Sequence, residues 1–296
     1  MEHRVIIPQA VHSNYEGYKC LLNIAKAYME NDPETKIVLD FKANTWFDAN
    51  LLTVIYAMVE FGRENNIQSA YSNQANCKLH KLLIRNGFGK HCFDLPYQPR
   101  LHETSIPFKV FRAIDTYNFS SYMDQELTRY FPNMDLYVKK AISSYIQELF
   151  GNAQIHGHCV NVYTCGQYYF ANHKMDFTIV NLGKTFSDNV NEYLTEMKIP
   201  LPVNSIAWAV EPNHSTKRNT TGGIGLSLMR DFINYNHGKF QIISGNEYWE
   251  LSENVENNLN FECVFPGTII NIEIDQNDKN IYSYGDELFS AHELLF

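Results

Sequence analysis

The chain has 296 residues, of which 45 % are hydrophobic and 14 % aromatic, enough to build buried cores and to exclude a disordered protein. At roughly 150 residues per domain the length reads as two domains. Against 33 Asp and Glu stand 24 Lys and Arg, a net charge of −9. That balance makes nucleic acid an unlikely partner, because a protein that grips duplex DNA by neutralising phosphates is normally more basic.

The opening MEHRVIIPQAVHS carries no apolar run of signal-peptide length. The longest apolar stretch, LLTVIYAMVEF, stops near Glu60, short of the roughly 20 residues a membrane span needs. No membrane association and a cytoplasmic location are expected. Six cysteines lie scattered without a CxxC pair and read as free thiols in a reducing compartment. His156, His158, Cys159, Cys165 and His173 lie close in sequence, but their spacings fit no zinc pattern.

In chain order, Arg4–Ile7 predicts a short strand and Tyr15–Met29 an amphipathic helix. Lys36–Phe41 reads as a buried strand ending at an acid. Asp48 is placed to cap a long helix in which Leu51, Leu52, Ile55, Met58 and Val59 recur at helical spacing. The strand IQSAYS follows, then a helix bearing Leu79, Leu82 and Leu83 that Gly87 can terminate. Strands alternating with helices imply parallel pairing in an α/β layer.

The strand ending in Asp, the FDANLL turn, the long helix, the strand and the helix ending in Gly87-Phe88 resemble a STAS domain, the module of anti-sigma-factor antagonists. The resemblance runs from about Val5 to Gly89. Phosphorylatable relatives carry serine in the turn before the long helix; here it reads Asp48-Ala49-Asn50, without a hydroxyl. The resemblance therefore implies a docking or dimerisation layer, residues 1–95, through which a protein partner binds. Residues 96–106, irregular and proline-rich, read as a linker.

The second domain, residues 107–275, opens with a strand at Phe108–Ile114. Its most informative segment is VKKAISSYIQELFGNAQIHG, Val138–Gly157. Val138, Ile142, Tyr145, Leu149 and Ala153 form a core-facing helical stripe; Glu148, Asn152 and His156, at i, i+4 and i+8, form a polar stripe beside it. The strands NVYTCGQYYF and KMDFTIV predict a hairpin whose second arm runs into Asn181-Leu182-Gly183. Then Gly222, Gly223 and Gly225 lead into a helix with Leu226, Leu228, Met229, Phe232 and Ile233 on its apolar side. Glycines there permit close backbone approach, and free N–H groups at a helix start attract phosphate. FPGTIINIEI predicts a closing strand, and residues 276–296 an acidic, aromatic tail.

ELFGNAQIHG, FTIVNLG, TGGIGLSL and FPGTIINIEI, in that order, resemble the GHKL ATPases, the family of gyrase, the heat-shock chaperone, histidine kinases and mismatch-repair proteins. The resemblance covers roughly Phe108 to Asp275. It implies a Bergerat-type α/β sandwich that binds ATP with Mg²⁺ under a mobile lid. By that resemblance Glu148 is the general base and Asn152 the Mg²⁺ ligand. Asn181, Gly183, Gly222, Gly223, Gly225, Leu226 and Thr268 contact the nucleotide, Thr268 through the adenine-binding water network. His156 lies near the phosphates or serves the helix end. Ser215, Thr216, Lys217 and Arg218 fall in the lid, with Lys217 able to reach the terminal phosphate.

One departure stands out. The family reads adenine with the aspartate of a DxGxG box, whereas this chain has Asn181-Leu182-Gly183-Lys184-Thr185. A carboxamide oxygen still accepts the base's amine, but the bond falls from about 1.5–3 kcal/mol toward about 1 without charge assistance. The amide can also turn over and donate, which suits a base carrying oxygen at that position. The resemblance implies an ATPase or a protein serine kinase of a partner-switching system, with homodimerisation plausible. The alternative is a nucleotide-responsive binding scaffold with little turnover. A sensor histidine autokinase is excluded, since neither His12 nor His102 lies on a phosphoacceptor helix.

Overall fold

The computed structural model describes residues 1–72, 77–97, 104–216, 224–278 and 280. Its first part alternates strand and helix: β1 (Glu2–Ile6), β2 (Ala10–Val11), α1 (Tyr15–Glu30), β3 (Lys36–Asp40), β4 (Trp46–Phe47), α2 (Leu52–Glu64), β5 (Gln68–Ser72), α3 (Cys77–Arg85) and α4 (Phe88–Phe93). β1, β3 and β5 pair in parallel with β3 central, and β2 pairs with β4. The mixed α/β reading therefore holds. Every residue of α2 from Leu52 to Val59 is buried, as expected of a helix sandwiched between two layers.

Asp48 does not cap α2. A single 3-10 turn, Ala49–Leu51, intervenes, and the Asp48 carboxylate instead accepts from Ser13 N (2.7 Å) and Trp46 Nε1 (2.8 Å). The turn is drawn inward because Asn50 is fully buried and donates to partners on the distant sheet.

The second part comprises β6 (Ser105–Arg112), α5 (Thr116–Tyr122), α6 (Leu136–Ile155), β7 (Asn161–Tyr169), β8 (Lys174–Leu182), α7 (Phe186–Met197), α8 (Ser205–Val210), α9 (Ile224–Asn236), β9 (Lys239–Ser252) and β10 (Val255–Asp275). Five antiparallel strands run in the order β6-β7-β8-β10-β9. The strand expected to close the domain thus lies inside the sheet. It is also far longer than FPGTIINIEI, because its first half forms a hairpin with β9, an element the sequence reading did not place.

The sheet is covered on both faces. Ile270, Ile272 and Ile274 join α6 and α9 in one core, while Ile269 on the opposite face joins α1 and α2 in another, together with Tyr163, Cys165 and Val180. The period-2 alternation of β10 is thus read out as two cores. The N-terminal layer consequently shares its core with the sheet. Of the segment read as a linker, Ser105 and Ile106 already belong to β6 and residues 98–103 lie outside the described residues. So does most of the tail.

A buried polar seam runs through this shared core. The two hydrogens of Asn50 Nδ2 are shared among Ser13 Oγ (2.9 Å), Thr178 Oγ1 (3.0 Å) and Asn271 Oδ1 (3.0 Å), and Asn271 Nδ2 donates to Gln241 Oε1 (3.0 Å). Tyr18 donates to the same Gln241 oxygen (3.2 Å). Burial, reinforced by the neighbouring Glu273 and Asp48, holds the Asp176 carboxyl well above the usual carboxylate range.

Candidate functional site

α6 begins with Asp135 accepting from Val138 N (2.9 Å), and its apolar stripe, Val138, Ile142, Tyr145, Leu149 and Ala153, is buried. The polar stripe rises beside a cleft of about 700 Å³, part of it open to solvent. Asn152 and His156 line this cleft. His156 ends the helix, its N donating to Asn152 O (2.9 Å) and its Nδ1 pairing with Thr216 Oγ1 (3.2 Å). Its carbonyl accepts from Asn189 Nδ2 (3.0 Å).

Glu148 stands one turn before Asn152 and does not line the cleft. Its carboxylate packs against Gly225 at the start of α9, where a Cβ would collide with it. The glycine there makes room for an acid. Leu226, the next residue, lines the cleft with Leu149, Ala153, Val190 and Ile270. These are almost fully buried apolar walls.

Asn181 and Thr268 form the buried polar floor. They sit directly opposite each other on β8 and β10, 5 % and 6 % exposed. Asn181 Nδ2 has no hydrogen-bond partner among the described residues and lies over Gly157. Gly157, Gly183 (φ +137°) and Gly267 (φ +158°) close around this residue: side chains on them would strike, respectively, Ala153 O and the Asn181 amide, Gly157 O, and Asn181 O. Gly183 thus acts through backbone packing and is not among the cleft-lining residues. Thr268 Oγ1 pairs with Ser244 Oγ (2.8 Å), which donates to Gly267 O (3.0 Å) and accepts from Phe186 N (3.0 Å).

Several residues at the mouth were not foreseen. The rings of Trp208 and His214 stack at 4.5 Å and 14°, with His214 Nδ1 against Trp208 O (2.7 Å). α8, which carries Trp208, is anchored by Glu247, which accepts from Ser205 N and Ile206 N. Lys184 lines the cleft but donates to Glu192 Oε2 (2.8 Å), an exposed pair that raises the lysine's pKa. Thr185 caps α7 in a reciprocal capping box with Asp188. Ser244 had no local signal, since its partners come from β10 and the start of α7. Trp208 and His214, six residues apart, meet only because a turn follows α8.

The structure therefore brings Asn152, His156, Asn181, Leu226 and Thr268 into one cleft, with Ser215 and Thr216 at its rim. Lys217, Arg218, Gly222 and Gly223 lie outside the described residues. The two cysteines of the His/Cys cluster lie on opposite faces of the sheet, Cys159 packing on the α6 face and Cys165 on the other. Burial pushes their thiols up to about 11 and about 12. No helix among the described residues is long and apolar enough to cross a membrane. Neither models of known protein families nor curated protein sequences give a match to this chain.

Proposed function

We propose that the cleft binds a magnesium–nucleoside triphosphate, ATP by the resemblance to GHKL ATPases, and that the protein is an ATPase or protein serine kinase of a cytoplasmic partner-switching system. One observation carries the reading. Five residues matched to metal or nucleotide contacts, Asn152 to the metal and His156, Asn181, Leu226 and Thr268 to the nucleotide, come from distant parts of the chain and line the same cleft. Apolar walls with a two-residue polar floor suit a flat heteroaromatic ring with one hydrogen-bonding edge.

The donor set fits the group. The Asn152 carboxamide oxygen is a hard ligand of the kind Mg²⁺ takes alongside phosphate oxygens and water. When bound, Mg²⁺ would offset phosphate charge. Glu148 is the candidate base that takes a proton from an attacking hydroxyl or water, and its seat against Gly225 puts it at the start of α9. By the resemblance, Gly222 and Gly223, which lie outside the described residues, would supply backbone N–H groups to the phosphates together with the start of α9.

A second reading, a nucleotide-responsive scaffold with little turnover, is favoured by Glu148 standing outside the lining of the cleft. In either case a protein partner of the STAS-like layer meets a surface other than the Asp48–Asn50 turn, which is buried against the sheet. Homodimerisation belongs to the same proposal. Isothermal titration with Mg-ATP is the direct test: saturable binding that weakens on chelating Mg²⁺ is expected, and no heat with any nucleoside triphosphate refutes the reading.

A further inference from the structure

The floor of the cleft specifies more than a purine. Ser244 has a single hydroxyl hydrogen, and Gly267 O, which can only accept, takes it at 3.0 Å. The 2.8 Å contact between Ser244 Oγ and Thr268 Oγ1 therefore uses the Thr268 hydrogen. Thr268 is left with lone pairs alone for a ligand in the cleft.

Beside it, directly across the β8–β10 pair, stands the Asn181 carboxamide. Its Nδ2 is turned onto Gly157, buried and without a partner among the described residues. The two ends of a carboxamide are assigned by their partners, and here the donor end faces none. Turning the amide over lays its oxygen on the Gly157 Cα, where a C–H is a weak partner, and brings the NH₂ group toward the cleft. The floor then offers a donor at Asn181 next to an acceptor at Thr268.

Resting on the nucleotide reading above, we infer that the cleft takes 6-oxopurine nucleoside triphosphates at least as tightly as adenine nucleotides. A 6-oxopurine presents a carbonyl and an adjacent N1–H, which complement that donor and acceptor. Adenine presents an amine and a bare N1. It can be read by the Asn181 oxygen only with the NH₂ left buried against Gly157, and its N1 then faces the Thr268 lone pairs. Asn181 is accordingly the specificity-determining residue.

The test compares inosine triphosphate with ATP by titration calorimetry in Mg²⁺, since the two differ only at the edge in question. In the native protein inosine triphosphate binds at least as tightly as ATP. Asn181→Asp, whose carboxylate only accepts, weakens inosine triphosphate at least 10-fold while ATP stays within about threefold or tightens. Thr268→Val, a near-isosteric second variant, weakens inosine triphosphate more than ATP. Tighter binding of ATP by the native protein, or an unchanged ratio in both variants, overturns the inference and leaves the nucleotide site standing. Binding of neither nucleotide removes the site itself.

Discussion

Removing Asn50 tests whether the N-terminal layer is welded to the sheet. Its Nδ2 meets Ser13, Thr178 and Asn271 within 3.0 Å, and the residue is fully buried. In Asn50→Ala the Thr178 hydroxyl keeps its bond to Asn271 Oδ1 (2.8 Å), so one hydroxyl, that of Ser13, loses its donor and a carboxamide-sized void remains. Together these cost about 2–4 kcal/mol. Asn50→Asp keeps the shape but removes the donor. It sets a carboxylate against Asn271 Oδ1 in the same buried seam as Asp176, so at neutral pH it is expected to destabilise more than the alanine, with the gap narrowing in acid. Urea unfolding followed by tryptophan fluorescence measures both, and a single transition is expected because the layers share a core. A loss below about 0.5 kcal/mol for alanine, or an aspartate variant no worse than alanine, would refute the reasoning.

Other consequences follow from the same geometry. Glu148→Ala is expected to lower turnover by about 10²–10⁴ if the carboxylate is the general base, with nucleotide affinity nearly unchanged; steady-state phosphate release measures this, and unaltered turnover assigns Glu148 a structural role. Asn152→Ala should abolish the Mg²⁺ dependence of nucleotide binding, and an unchanged response to chelation would remove it as a metal ligand. Gly225→Ala places a methyl group on the Glu148 carboxylate and is expected to weaken Mg-nucleotide binding at least 10-fold; retained affinity would mean that α9 moves freely away from α6. Asp176 holds its proton more tightly in the folded chain than in the unfolded one. Its contribution to stability is therefore greatest below the ordinary carboxylate pKa near 4 and declines as pH rises toward the folded value. Asp176→Asn mimics the neutral form. It should flatten that decline, giving a higher urea midpoint than the native protein at pH 8 and a similar one near pH 4.

Local order was legible in the residues themselves. The apolar and polar stripes of α6, the parallel alternation of β1, β3 and β5, and the hairpin of β7 and β8 follow from 3.6- and 2-residue periods, which report which face of an element is greasy. The stripe carrying Glu148, Asn152 and His156 was equally visible, because it depends only on helical spacing. Periodicity does not say what covers a face. Hence the tertiary structure alone decided that α1 and α2 cover the back of the five-stranded sheet, and that β10 lies between β8 and β9. It also decided that Asp48 binds Ser13 and Trp46 instead of capping a helix. The floor of the cleft is of the same kind: Asn181, Ser244 and Thr268 meet across three strands, and the glycines at 157, 183 and 267 let those backbones close in, a convergence no single stretch of chain encodes.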